Sequence, residues 1–96
     1  MNKKEILMQL KSVCEYVITE GSNVNWNNVL ESLKEIYPHV DEEYPAMAEL
    51  IAWLITSIGI VKSYPSEQGY TRISNAIKKL RAQISNAEQI LRFYTK

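Results

Sequence analysis

The hydrophobic positions of this chain recur at steps of three and four. No alternating run of β-branched residues lies between turn dipeptides in the way a sheet domain requires. The pattern predicts an all-α protein of four helices. In the first, from about Lys3 to Glu20, Ile6, Leu7, Leu10, Val13, Cys14, Val17 and Ile18 share one wide face, and Lys4, Glu5, Lys11, Ser12, Glu15 and Thr19 lie largely opposite. Gly21 supplies a left-handed stop. After a polar loop, Asn25 caps a second helix with Trp26, Val29, Leu30, Leu33, Ile36 and Tyr37 on its apolar stripe. Pro38 disfavours helical geometry at Tyr37, so this helix is expected to end after about three turns, with residues 39–43 as the connection.

Pro45 is a favoured first-turn residue and opens the third helix, which runs to Lys62 or Ser63 and is apolar on nearly every side. Such a helix is expected to need neighbours all round. The apolar stretch from Pro45 to Val61 is 17 residues long and contains Glu49, Thr56, Ser57 and Gly59, short of the roughly 20 apolar residues a membrane span uses. It is expected to be the central helix of a soluble core. Tyr64, Pro65 and Ser66 form the next break, with Ser66 as cap and Glu67 and Gln68 in the first turn beyond it.

The fourth helix carries the most regular pattern. Tyr70, Ile73, Ile77, Leu80, Ile84, Ala87, Leu91 and Tyr94 form an a/d seam over more than three heptads. A helix of roughly 25 residues would be about 37 Å long and is expected to outreach the second helix at its C-terminal end. Within it Ile73-Ser74-Asn75-Ala76 recurs eleven residues later as Ile84-Ser85-Asn86-Ala87, three turns on and on nearly the same face, which bundle packing alone accounts for. The expected architecture is an antiparallel four-helix bundle with a long C-terminal helix, built as one domain over residues 1–96.

Composition narrows the function. At 96 residues and 46% hydrophobic the chain suits one core. Cys14 is the only cysteine, so no intramolecular disulfide forms, which fits a reducing, cytoplasmic setting. The basic start at Lys3 and Lys4 is interrupted by Glu5, Gln9 and Lys11, and no signal peptide is predicted. Cys14 falls on an apolar face and His39 in a polar segment, too little for a nucleophile and base. His39, Asp41, Glu42 and Glu43 lack metal-site spacing, and the three glycines stand apart at 21, 59 and 69. Neither catalysis nor any cofactor or metal is expected.

Charge carries one informative feature. Eleven Lys and Arg balance eleven Asp and Glu, yet residues 1–45 hold four lysines against eight acids and residues 46–96 hold seven Lys or Arg against three Glu. The neutral total conceals halves of −4 and +4. One consequence is acidic helices one and two pairing with basic helix four inside the bundle. The other is a partner-binding patch of Arg72, Lys78, Lys79, Arg81, Arg92 and Lys96, with Phe93 and Tyr94 as interfacial aromatics, facing an anionic surface. A helical regulator of a phage or mobile element, binding nucleic acid or a nucleic-acid enzyme through Arg72, Lys78, Lys79 and Arg81, is the alternative. It is disfavoured by the zero net charge and by the lack of a helix-turn-helix signature. A monomer is expected, or a weak dimer if the Tyr70–Tyr94 seam faces another chain.

Residues 29–37 (VLESLKEIY), the apolar run 50–54 (LIAWL) and residues 73–80 (ISNAIKKL) carry a resemblance to a known family. Over roughly residues 25 to 90 it resembles the small immunity proteins that protect bacteriocin producers from their own pediocin-like peptides, the enterocin A immunity type in particular. The resemblance implies an antiparallel four-helix bundle in the cytosol, loosely bound at the membrane face. There it would recognise a sugar-transporter receptor engaged by the bacteriocin and block the lethal pore. It also implies that the C-terminal half sets which bacteriocin is resisted, here the basic fourth helix and its tail.

Overall fold

The computed structural model describes residues 1–94. Four α-helices, α1 (Lys3–Glu20), α2 (Trp26–Glu43), α3 (Pro45–Ser63) and α4 (Glu67–Tyr94), account for almost all of them, with one short 3-10 turn at Gly21–Asn23. Each helix start is chemically marked. The Asn2 side chain accepts from the Glu5 N–H at 2.8 Å while the Glu5 carboxylate accepts from the Asn2 N–H, a reciprocal capping box the hydrophobic pattern did not reveal. Asn25 accepts from the Asn28 N–H and Ser66 Oγ from the Gly69 N–H, as expected from the sequence. Gly21, at φ 55°, closes α1.

The proline in α2 does not end it. Pro38 lies inside an 18-residue helix, and the residues assigned to a connection form its last turn. Pro38 removes the N–H that would bond the carbonyl of Lys34. The apolar spacing nevertheless continues across it, since Val29, Leu33, Ile36 and Val40 are all buried, and Val40 is fully so. Burying Val40 offsets the missing bond, which the local sequence could not disclose. The break falls instead at Tyr44, in non-helical geometry at φ −139° and ψ 70°, immediately before Pro45. That single residue joins the helices: its N–H donates to the Val40 carbonyl at 2.6 Å and its carbonyl accepts from the Ala48 N–H at 2.9 Å.

The short links make successive helices antiparallel, and the helices form a ring in which α1 neighbours α2 and α4, and α3 neighbours the same two. The pairs α1–α3 and α2–α4 lie on diagonals. Every helix contributes to one core, including Leu7, Leu10, Leu33, Ile51, Leu54, Ile77 and Leu80, and no polar or charged side chain is buried among the described residues.

Two expectations are corrected by this ring. The third helix has only two neighbours: Met47, Ala48, Ile51, Leu54, Ile58 and Val61 are buried, but Trp53 and Ile60 remain 44% and 57% exposed, because any helix of a four-membered ring keeps an outer face. By length and composition α3 would also suffice to cross a membrane; here it packs as a bundle helix. The fourth helix has 28 residues, about 42 Å against about 27 Å for α1. Its seam is buried at Ile73, Ile77, Leu80 and Ile84, facing its own core, and partly buried at Ala87 and Leu91. Tyr94 is 79% exposed, because the neighbouring helices give out before it. The repeated tetrads place Ile73, Ala76 and Ile84 in the core, as bundle packing requires.

Candidate interaction surface at the end of the fourth helix

Once Ile84 is buried, the last three turns of α4 run between the start of α1 and the start of α3, and a cleft opens on each side. The first, about 720 Å³, is lined by Asn2, Lys3, Lys4, Leu7 and Met8 of the α1 end together with Glu43, Glu88, Leu91 and Arg92. The second, about 650 Å³, lies between Tyr44–Met47 and the α4 residues Gln83, Asn86, Ala87, Ile90, Leu91 and Tyr94, with Lys3 and Glu43 at its rim. Phe93 is 73% exposed at the tip and meets Tyr94 edge to face, with ring centroids 5.4 Å apart. An apolar floor with aromatics at its edge suits an amphipathic partner.

The charges at this end are unequal in availability. Glu43 pairs with Lys3 at 3.9 Å and Glu88 with Lys11 at 3.7 Å, so both acids already face a lysine. Lys3 also sits 6.0 Å from the centre of the Tyr44 ring. Burial, and secondarily the Glu43 carboxylate, pushes the Tyr44 hydroxyl above its ordinary pKa, so it stays a neutral donor at physiological pH. Lys4 and Arg92 are exposed, and so are Glu5 at the start of α1 and Asp41 and Glu42 at the end of α2, so this end of the bundle carries both signs of charge.

The structure divides the basic patch expected from the sequence. Arg92, Phe93 and Tyr94 stand together at the bundle end. Arg72, Lys78 and Lys79 are exposed further back along α4, with Arg72 about 30 Å from Arg92 along the helix axis. Arg81 is engaged: its Nε and Nη2 lie 2.6 and 2.5 Å from Glu15 Oε1, and Nη1 donates to Ser85 at 3.0 Å. Lys96 lies outside the described residues. Met8, Tyr44 and Ile90 were missed. Met8 and Ile90 signal themselves only as apolar residues off the stripes of their helices, and Tyr44 only as the residue before Pro45.

Pairing of both acidic helices with α4 does not occur either. Helix α1 pairs with α4 through Glu15–Arg81 and Lys11–Glu88, but α2 lies diagonally opposite, and its Glu31, Glu35, Asp41 and Glu42 face solvent. Helix α2 carries five acids and one lysine, α4 five Lys or Arg and two acids, while α1 and α3 are each balanced. The two halves of opposite charge thus become two opposite edges of the bundle.

Cys14 and His39 are not brought together. The Lys3–Glu43 contact sets a register that puts Cys14 level with residue 32 of α2, two turns from His39. Burial pushes the Cys14 thiol up to about 12, with Arg81 pulling the other way and Glu15 adding to the rise, so it stays a protonated core residue. Among the described residues no three His, Cys, Asp or Glu side chains gather as metal ligands.

Comparison of the chain with protein-family models, curated proteins and solved structures found no match.

Proposed function

We propose that this protein is a bacteriocin immunity protein that acts by contact, presenting the C-terminal end of α4 at the cytoplasmic face of the membrane to a transporter engaged by a bacteriocin. The observation that carries this reading is the bundle end: Arg92, Phe93 and Tyr94 project beside two apolar clefts, with Lys4 adding charge and Met8 and Ile90 adding apolar surface. It is the part of the molecule where the chain resembling immunity proteins carries its predicted specificity element. The acidic edge along α2 and basic edge along α4 add an orientation, since an anionic surface attracts one side and repels the other.

Expression in a strain sensitive to pediocin-like peptides tests the proposal. Survival against at least one such peptide is expected, and the R92A/F93A/Y94A variant should lose that protection while keeping its thermal stability, because all three side chains are exposed. Unchanged killing by every peptide tried overturns the reading.

A further inference from the structure

The outer face shared by α3 and α4 carries an apolar stripe beside a cationic one. On α3, Lys62 reaches Asn27 of α2 and marks the α2 side. At 100° per residue, Trp53 and Ile60 lie 160–180° from Lys62, on the flank turned toward α4. On α4, Arg81 holds Glu15 and marks the α1 side. Arg72 and Lys79 lie 160–180° from Arg81, on the flank turned toward α3. Two contacts fix the register between the helices. Gly69 packs so tightly on Val61 that a Cβ there would come within 2.7 Å of it, and Met47 shares a cleft with Gln83 and Ala87. The antiparallel pair therefore sets Trp53 level with Lys79 and Ile60 level with Arg72. Tyr64, exposed in the link that follows, extends the apolar side. Glu49, the one acid of α3, is exposed about 20–40° from Trp53 and Ile60 and so lies on this same face.

We infer that this α3–α4 face lies flat on an anionic lipid bilayer. Trp53 and Ile60 would enter the headgroup boundary while Arg72 and Lys79 contact lipid phosphates. Three observations favour a lipid surface over a second copy of the chain. Helix α3 leaves Trp53 and Ile60 exposed, while its other large apolar side chains are buried or, like Leu50 and Ile55, pack against the core. A Trp on α3 with Arg and Lys beside it on α4 gives this two-helix face the composition of an interfacial element. A symmetric dimer whose two-fold axis runs across the helices would bring the cationic α4 edges of two copies together, while an anionic surface complements them. The acid-rich α2 edge, diagonally opposite α4, then points away from the membrane. This inference rests on the membrane-face placement proposed above, but its test requires neither bacteriocin nor receptor, so the two fail separately.

The experiment is flotation of the full chain with vesicles of phosphatidylcholine alone and of phosphatidylcholine mixed with phosphatidylglycerol. Binding to the mixed vesicles only is expected, weakening with salt. The R72E/K79E variant should lose at least about 10-fold in affinity. K78E, on the other flank, should lose far less, and I60S should bind weakly. In a W26F variant, Trp53 emission should shift to the blue on binding and be quenched by brominated acyl chains. Flotation of I60S and R72E/K79E decides the matter even if W26F does not fold. Equal binding by R72E/K79E, binding with Trp53 still in water, failure to bind mixed vesicles, or a dimer in solution that I60E dissolves would each overturn the inference.

Discussion

Arg81 of α4 grips Glu15 of α1 through two nitrogens, Nε at 2.6 Å and Nη2 at 2.5 Å from one carboxylate oxygen, and steadies its remaining arm on Ser85. The pair bridges the first and last helices of the ring beside buried Cys14. Because both side chains stay partly exposed, water screens much of the attraction. A double-mutant cycle of Glu15→Ala and Arg81→Ala in denaturant should return a coupling of about 0.5–1 kcal/mol. A coupling near zero would mean that the contact adds register without stability.

Cys14 gives the protein an alkaline weakness. The folded chain holds the thiol proton up to about 12, whereas the ordinary value is 9.0. The folded state thus binds this proton more tightly than the unfolded state does. Its contribution to stability is complete below pH 9 and is lost as pH rises through 12. Cys14→Ala should remove that alkaline slope, as judged from melting temperatures across pH 8–12. A thiol reagent at neutral pH should label the wild-type protein only at the rate of its unfolding.

The two glycines inside helices should respond oppositely to alanine. At Gly59 a Cβ meets nothing within 4 Å, and Gly59→Ala should stabilise by about 0.5–1 kcal/mol through helix propensity. At Gly69 a Cβ would come within 2.7 Å of Val61 Cγ2 and 2.8 Å of Ser66 Oγ, the oxygen that caps the helix. Gly69→Ala should destabilise despite the same gain in propensity. Equal shifts in the denaturation midpoints of the two variants would contradict the close packing of α3 on α4.

Pro38 tests how far packing overrides local preference in α2. Pro38→Ala restores an N–H to the helical ladder at an exposed position and should stabilise by about 2 kcal/mol, less the entropy that proline removes from the unfolded chain. Val40→Ala should cost about 2 kcal/mol, from the lost apolar burial and the cavity left behind. Were residues 39–43 an irregular exposed link, Val40→Ala would be nearly neutral in chemical denaturation.

What the sequence determined by itself is what local chemistry encodes: four amphipathic helices, caps at Asn25 and Ser66, the stop at Gly21, and a core along the α4 seam from Ile73 to Ile84. These follow from side-chain spacing and from hydrogen bonds over three or four residues. The three Tyr-Pro pairs mark the limit of that encoding. Tyr44-Pro45 and Tyr64-Pro65 end helices, but Tyr37-Pro38 does not, because Val40 finds a buried place in the bundle, and that depends on residues far along the chain. The same holds for the candidate surfaces. Arg81 and Arg92 look alike in sequence, and only the approach of Glu15 from α1 makes one a structural tie while the other stays free at the bundle end. Likewise Trp53 is simply one apolar residue of an apolar helix until the ring leaves α3 an outer side. A helix can be read from its own residues, but which face meets solvent is decided by how many neighbours pack around it.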